Sequence, residues 1–244
     1  MGVSGQYEYK NHILLNPLMT TEDMKSTSYH EYTHMMLTYS SSIGQLLYCF
    51  EKLFIPPNFD QDVNRFKAIT SFFNKHTTKV QEGLAVFVEC VMLILNGEGD
   101  ACDNFINGLR LNNRTYFKYL EPLIFIVDNL KFCNDREEIL KISSLVFNLG
   151  IESMNRPIYQ LEPKEFYTSK TIQKMLSKPD FGYEYLPDKR FIRDLKDCKK
   201  TTDTLEGVKK YIISKIGPLP KSQDIKYEED GLYRNKSFIN AFFL

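Results

Sequence analysis

Five consecutive residues, His30-Glu31-Tyr32-Thr33-His34, set two imidazoles four positions apart with a carboxylate beside the first. On an α-helix, positions i and i+4 lie about 40° apart around the axis, so both rings leave the same face. Two ring nitrogens placed in this way can reach one zinc ion at about 2.0–2.1 Å each. Glu31 would then lie beside the metal, where a carboxylate can serve as base toward an activated water. Histidine is scarce, with 4 in 244 residues, so the pairing is informative. The plain alternative is an ordinary amphipathic helix carrying two partly exposed histidines.

A hydrolytic zinc usually has three protein ligands and a water. A third ligand is offered by Glu82 in the stretch Gln81-Glu82-Gly83-Leu84-Ala85. Thr78 with Gln81 reads as a capping box that opens a helix, placing Glu82 in its first turn before the apolar run Leu84 to Leu95. Gly83 and Ala85 are small enough to let a neighbouring helix approach closely. A carboxylate entering an apolar helix needs a partner, because an unpaired buried charge is costly, and a metal would be that partner. Glu89 is the rival. Seven residues on, it sits on nearly the same helix face, about 10 Å further along. It is expected to ligate the metal, to hold a ligand histidine from behind, or to pair with a buried Arg or Lys.

With these residues the chain resembles the gluzincin class of zinc metallopeptidases, whose pattern is H-E-x-x-H on one helix and a ligand glutamate, often in E-G-x-A, on a second. The matching residues are His30, Glu31 and His34, then Glu82, Gly83 and Ala85. The resemblance covers about residues 26 to 95 and implies His30, His34 and Glu82 as ligands of Zn2+, with Glu31 as general base. It implies hydrolysis of a peptide or protein substrate. The metzincin extension is absent, since no histidine lies between His34 and His76. Transition-state donors in this class are often Tyr, His or Arg, and His76, Arg156 and Tyr159 are the candidates. Two other functions stay open: a zinc hydrolase of a non-peptide amide or ester, and an interaction or regulatory protein that keeps the scaffold without peptidase activity.

The elements that must position these residues read as mainly helical. Met36, Ile43, Leu47, Phe50 and Phe54 form one apolar stripe roughly opposite the histidines, which predicts a single helix from about Thr27 to Leu53, ended by Pro56-Pro57. Thr20 to Asp23 carry a helix-start signal. Asp60 to Lys75 has helical periodicity, and His76 is expected in a short connection before the Glu82 helix. Further helices are expected at Asp100 to Leu109, at Asn113 to Leu130 with a kink near Pro122, and at Glu137 to Leu149, stopped by Gly150. His12 to Leu15 reads as a strand beside the active helix. From Asn155 the chain turns more polar and Lys-rich, with helices expected at Pro163 to Leu176 and Thr204 to Ile216. The expected fold is mainly α (α+β): a zincin-like catalytic core over residues 1–154 with a minimal N-terminal strand region, and a helical and irregular extension over 155–244 packed on it.

Composition narrows the function classes. With 31 Lys+Arg against 31 Asp+Glu, there is no global basic signal for nucleic acid or an acidic membrane. Five cysteines without a C-x-x-C pair argue against a disulfide framework and against cysteine ligation of zinc; Cys49 and Cys90 read as core. Leu84 to Leu95 is too short to span a membrane. The N-terminus lacks a basic region followed by an apolar core. The expected location is therefore cytoplasmic.

Overall fold

A computed structural model of the chain describes residues 5–7, 13–15, 18–52, 60–155 and 186–217. Among the described residues the only strands are β1 (Gly5–Tyr7) and β2 (Ile13–Leu15), antiparallel with Gln6 opposite Leu14. The expected strand before the motif helix is thus present over Ile13–Leu15, and both strands pack on α1. His12 lies outside the described residues.

The rest is helical. α1 (Thr21–Ser40) starts where its sequence signal places it: the Thr20 hydroxyl accepts the Asp23 N–H at 3.1 Å and donates to the Asp23 carboxylate at 2.8 Å. The single helix expected to run on to Leu53 is two helices, α1 and α2 (Ser42–Lys52), with extended backbone at Ser41. The Ser41 hydroxyl donates to Leu37 O and accepts the Gly44 N–H at 3.1 Å, so it closes one helix and caps the next. Gly44 makes the corner possible, because a Cβ there would lie 2.5 Å from backbone atoms of Thr38. Of the expected apolar stripe, Ile43 and Leu47 are fully buried; Leu37, rather than Met36, is the α1 residue buried with them.

α3 (Asp60–Leu95) replaces the two helices expected on either side of His76. Thr78 is not an N-cap: its hydroxyl donates back to Asn74 O at 2.7 Å inside a continuous helix. At about 54 Å, α3 is the axis of the fold and packs against α1, α2 and five of the helices that follow it. This explains its second half, where Leu84, Ala85, Val86, Phe87, Cys90 and Val91 are all buried. A helix apolar on every side must be surrounded.

Around it stand α4 (Gly99–Asn112), α5 (Arg114–Leu120), a 3-10 turn at Glu121–Leu123, α6 (Ile124–Lys131) and α7 (Arg136–Met154). The expected interruption at Pro122 is the 3-10 turn. Gly150 does not stop α7, which runs four residues beyond it. Its role is contact: a Cβ at Gly150 would fall 2.2 Å from Leu84 Cδ1, so the glycine lets α7 press on α3. α8 (Pro187–Thr201) was not anticipated, whereas α9 (Leu205–Ile216) begins after its Thr204 cap and ends at Gly217, φ 80°. Phe191, Leu195 and Cys198 of α8 and Val208 and Ile212 of α9 belong to the same core as α3 and α7. The helix expected at Pro163 to Leu176 lies outside the described residues. No described helix is long and apolar enough to cross a membrane.

Candidate metal centre

α1 and α3 run antiparallel in contact, and their polar residues meet rung by rung. Ser26, His30 and His34 recur every four residues on α1; Glu89 and Glu82 are seven apart on α3. Ser26 Oγ donates to Glu89 Oε2. His30 Nδ1 lies 2.7 Å from Glu89 Oε1, and its Nε2 lies 3.3 Å from Glu82 Oε2. His34 Nε2 lies 3.7 Å from Glu82 Oε1. The sequence lets a polar face enter the core here because other α1 side chains satisfy themselves: Thr33 and Thr38 donate to Tyr29 O and His34 O at 2.8 Å.

One ligand atom from each of His30, His34 and Glu82 lies within 4.8 Å of the others. Tetrahedral ligands about 2.1 Å from a zinc ion stand roughly 3.4 Å apart; each imidazole comes near that range from the Glu82 carboxylate, His30 at 3.3 Å from Oε2 and His34 at 3.7 Å from Oε1. Among the described residues Glu82 Oε2 is buried without a well-aligned hydrogen bond, although His30 Nε2 lies 3.3 Å from it. That orphaned oxygen is the atom a metal would satisfy. Glu89 takes the position of a carboxylate behind a ligand imidazole, which fixes the free nitrogen at Nε2. Of the roles open to Glu89, this is the one its contacts fit. The other histidine differs: among the described residues no carboxylate stands behind it, and His34 Nδ1 is buried without a well-aligned hydrogen bond.

The electrostatics follow from burial and these contacts. Burial works against charge on His30, but Glu82 and Glu89 outweigh it and raise the imidazole to about 10. Burial carries His34 the other way, to about 4, despite Glu82. Burial would raise Glu82, yet His30 and His34 hold it below the usual carboxylate range. The charge that His30 takes up between two carboxylates is one a divalent cation would replace.

Glu31, the residue after His30, is buried. A tyrosine that sequence reasoning missed stands over the site. The Tyr116 ring is 6.0 Å from the His30 ring, and burial, with Glu82 beside it, pushes its phenol up to about 12. The phenol therefore stays protonated and able to donate at any ordinary pH. Tyr116 belongs to α5, whose start is capped by Asn113 Oδ1 at 3.4 Å from the Tyr116 N–H. α5 reaches the site because Gly83 has no side chain: a Cβ there would lie 2.8 Å from Tyr119 O. The expectation that Gly83 permits close approach thus has a physical counterpart. No spacing rule connects Tyr116 to the motif, and Ser26 carried only the weak signal of lying four residues before His30.

Other expected site residues are elsewhere. His76 is on α3, six residues before Glu82 and so about 120° away around the axis; it packs on Phe72 with ring centres 4.7 Å apart. Continuity of α3 is what turns it away from the centre. Arg156 and Tyr159 lie outside the described residues. A cavity of about 370 Å³ opens beside Ser26, Tyr29 and Glu89, behind His30 rather than at Glu82.

No family model matches the chain, and no match is found among curated proteins or solved structures.

Proposed function

We propose that this chain is a zinc-dependent metallopeptidase with a gluzincin-like site, in which His30, His34 and Glu82 hold the metal. The observation that carries the reading is the convergence of these three donors, with Glu82 Oε2 buried beside His30 and, among the described residues, without a well-aligned hydrogen bond. Zinc bound there would acidify the attacking water and polarise the scissile carbonyl. Glu31 would then be the base that takes a proton from the attacking water and passes it to the leaving amine. Glu89 holds His30 in the tautomer whose Nε2 is free for the metal. Tyr116 would donate its O–H to the carbonyl oxygen as negative charge develops there, in the role for which His76, Arg156 and Tyr159 were candidates from sequence.

A second reading has its own observation. His30 lies between two carboxylates, at 2.7 and 3.3 Å, and such a cluster can hold charge without any metal. In that case the scaffold serves binding rather than hydrolysis. Elemental mass spectrometry on zinc-supplied wild type, Glu82→Ala and Glu31→Gln, followed by a peptide-library digest, separates the readings. The peptidase reading expects about one zinc per chain in wild type and Glu31→Gln, loss in Glu82→Ala, and cleavage by wild type alone. Wild type without zinc puts the metal-free cluster first. Zinc with no peptide cleavage leaves the hydrolysis of other amides or esters.

A further inference from the structure

The balanced total charge conceals a local excess. On α8, Lys189, Arg193, Lys196 and Lys200 recur at i, i+4, i+7 and i+11, which places them within about 60° of one another around the axis. Opposite them Lys79 projects from α3, and the two helices enclose a groove of about 390 Å³ with Ile192 on its wall. Lys79, Lys189, Lys196 and Lys200 are exposed. Two carboxylates also line the groove. Asp188 is buried and accepts the Val80 N–H at 3.0 Å, and Asp197 lies 3.6 Å from Lys200. Arg193 pairs with the buried Asp194 at 3.3 Å. Among the described residues no carboxylate lies within ion-pair distance of Lys79, Lys189 or Lys196, so positive charge is left over. His76 reports the same field: after burial, Lys75, Lys189 and Lys79 hold its imidazole below the usual range.

We propose that this groove between α3 and α8 docks an acidic segment of another polypeptide in extended form. Eleven residues of helix between Lys189 and Lys200 span about 16 Å, the length of about five extended residues. Side chains on one face of such a segment recur about every 6.6 Å, comparable with the axial steps of about 4.5–6 Å that three or four helical residues put between the lysines and the arginine. Asp197 supplies an acceptor for a peptide N–H, a donor that a phosphodiester backbone lacks. Among the described residues no aromatic side chain lines the groove to offer the stacking on which single-stranded nucleic acid relies. A membrane surface would meet a flat or convex face more readily than a concave one. Lys79 is one turn before Glu82 on α3, so a docked segment lies near the candidate centre. The docking itself needs no metal and stands apart from the peptidase reading.

The test is fluorescence anisotropy of the full chain with a labelled, glutamate-rich peptide of about ten residues, in the presence of EDTA. Saturable binding is expected, weakened strongly as salt rises from about 50 to 300 mM. Lys189→Glu combined with Lys196→Glu should bind at least about tenfold more weakly. Both residues are exposed, and an unchanged circular dichroism spectrum and melting temperature would confirm that the variant folds. A second variant, Lys79→Glu, reaches the groove from α3 and should weaken binding in the same direction. No saturable binding by wild type, equal binding by both folded variants, or tighter binding of a uridine oligonucleotide or of anionic phosphatidylserine vesicles would overturn the proposal.

Discussion

Glu89 grips His30 on the ring nitrogen that faces away from Glu82, and Ser26 grips Glu89 in turn. If zinc is held as proposed, Glu89→Ala should leave the ligands in place but weaken zinc affinity about 10- to 100-fold, measured by competition with a chelating dye. Unchanged affinity would reduce the Glu89 contact to simple packing. Tyr116 is tested separately. Tyr116→Phe keeps the ring against His30 and removes only the O–H, so kcat should fall about 100-fold with KM and zinc content little changed. A fall confined to KM would make Tyr116 a binding group rather than an oxyanion donor. The two residues differ in legibility. Glu89 was visible as a carboxylate in an apolar helix, with its role open; Tyr116 had no pattern to mark it.

At the scale of elements, the precision of the site rests on two glycines that let helices touch α3. Gly83→Ala would ordinarily help a helix by about 1 kcal/mol. Here the new Cβ would meet the Tyr119 carbonyl at 2.8 Å. A backbone oxygen cannot move without its helix, so α5 must shift and carry Tyr116 with it. We expect a net destabilisation of about 1–3 kcal/mol in urea unfolding and, if the chain is the zinc peptidase proposed, reduced turnover with zinc retained. A stabilised variant would mean that α5 does not pack as described. Some helix starts were legible at this scale, because a cap is a local bond: Thr20 and Thr204 sit where their side chains can accept an early N–H, whereas Thr78, read as a cap, donates back to Asn74 O inside α3. Helix ends and joins were less so. Gly150 reads as a stop but is buried inside α7, and His76 reads as a link but is helical. In both cases neighbouring helices cover the segment and override local preference.

For the molecule as a whole, pH dependence collects buried groups of opposite sign. Burial lifts the Asp188 carboxyl from 3.8 to about 6, against the N–H groups of Val80 and Lys79 and the Lys79 charge. Between these values the folded chain keeps a proton that the unfolded chain has released, so this group lowers stability as pH rises through the window, by about 3 kcal/mol in all. His34, depressed to about 4, acts in the opposite sense: its stability is present above the unfolded value of 6.5 and is lost as pH falls. His30, raised to about 10, contributes below 6.5 and loses that contribution as pH rises toward 10. Comparing wild type with Asp188→Asn isolates the first effect. The variant should gain stability relative to wild type as pH rises from about 4 to 7, read from urea midpoints. Parallel profiles would show that Asp188 is ionised throughout. Lys79, Lys189 and Arg193 face the same groove, so the comparison is best made at fixed ionic strength.

The amino-acid order alone determined a mainly helical chain, the capped starts of α1 and α9, a short strand at Ile13–Leu15, and a candidate donor set of His30, His34 and Glu82. These are readable because periodicity, caps and i,i+4 spacing are local properties of the backbone. Tertiary structure decided the rest. It turned Glu89 behind His30, brought Tyr116 to the centre across a glycine contact, divided the motif helix at Ser41, and fused two expected helices into α3. It also gathered α8 lysines and Lys79 on two sides of one groove while the total charge stayed at zero. Each of these depends on which helix lies beside which, and distance along the chain carries no information about that when the contact is made by packing.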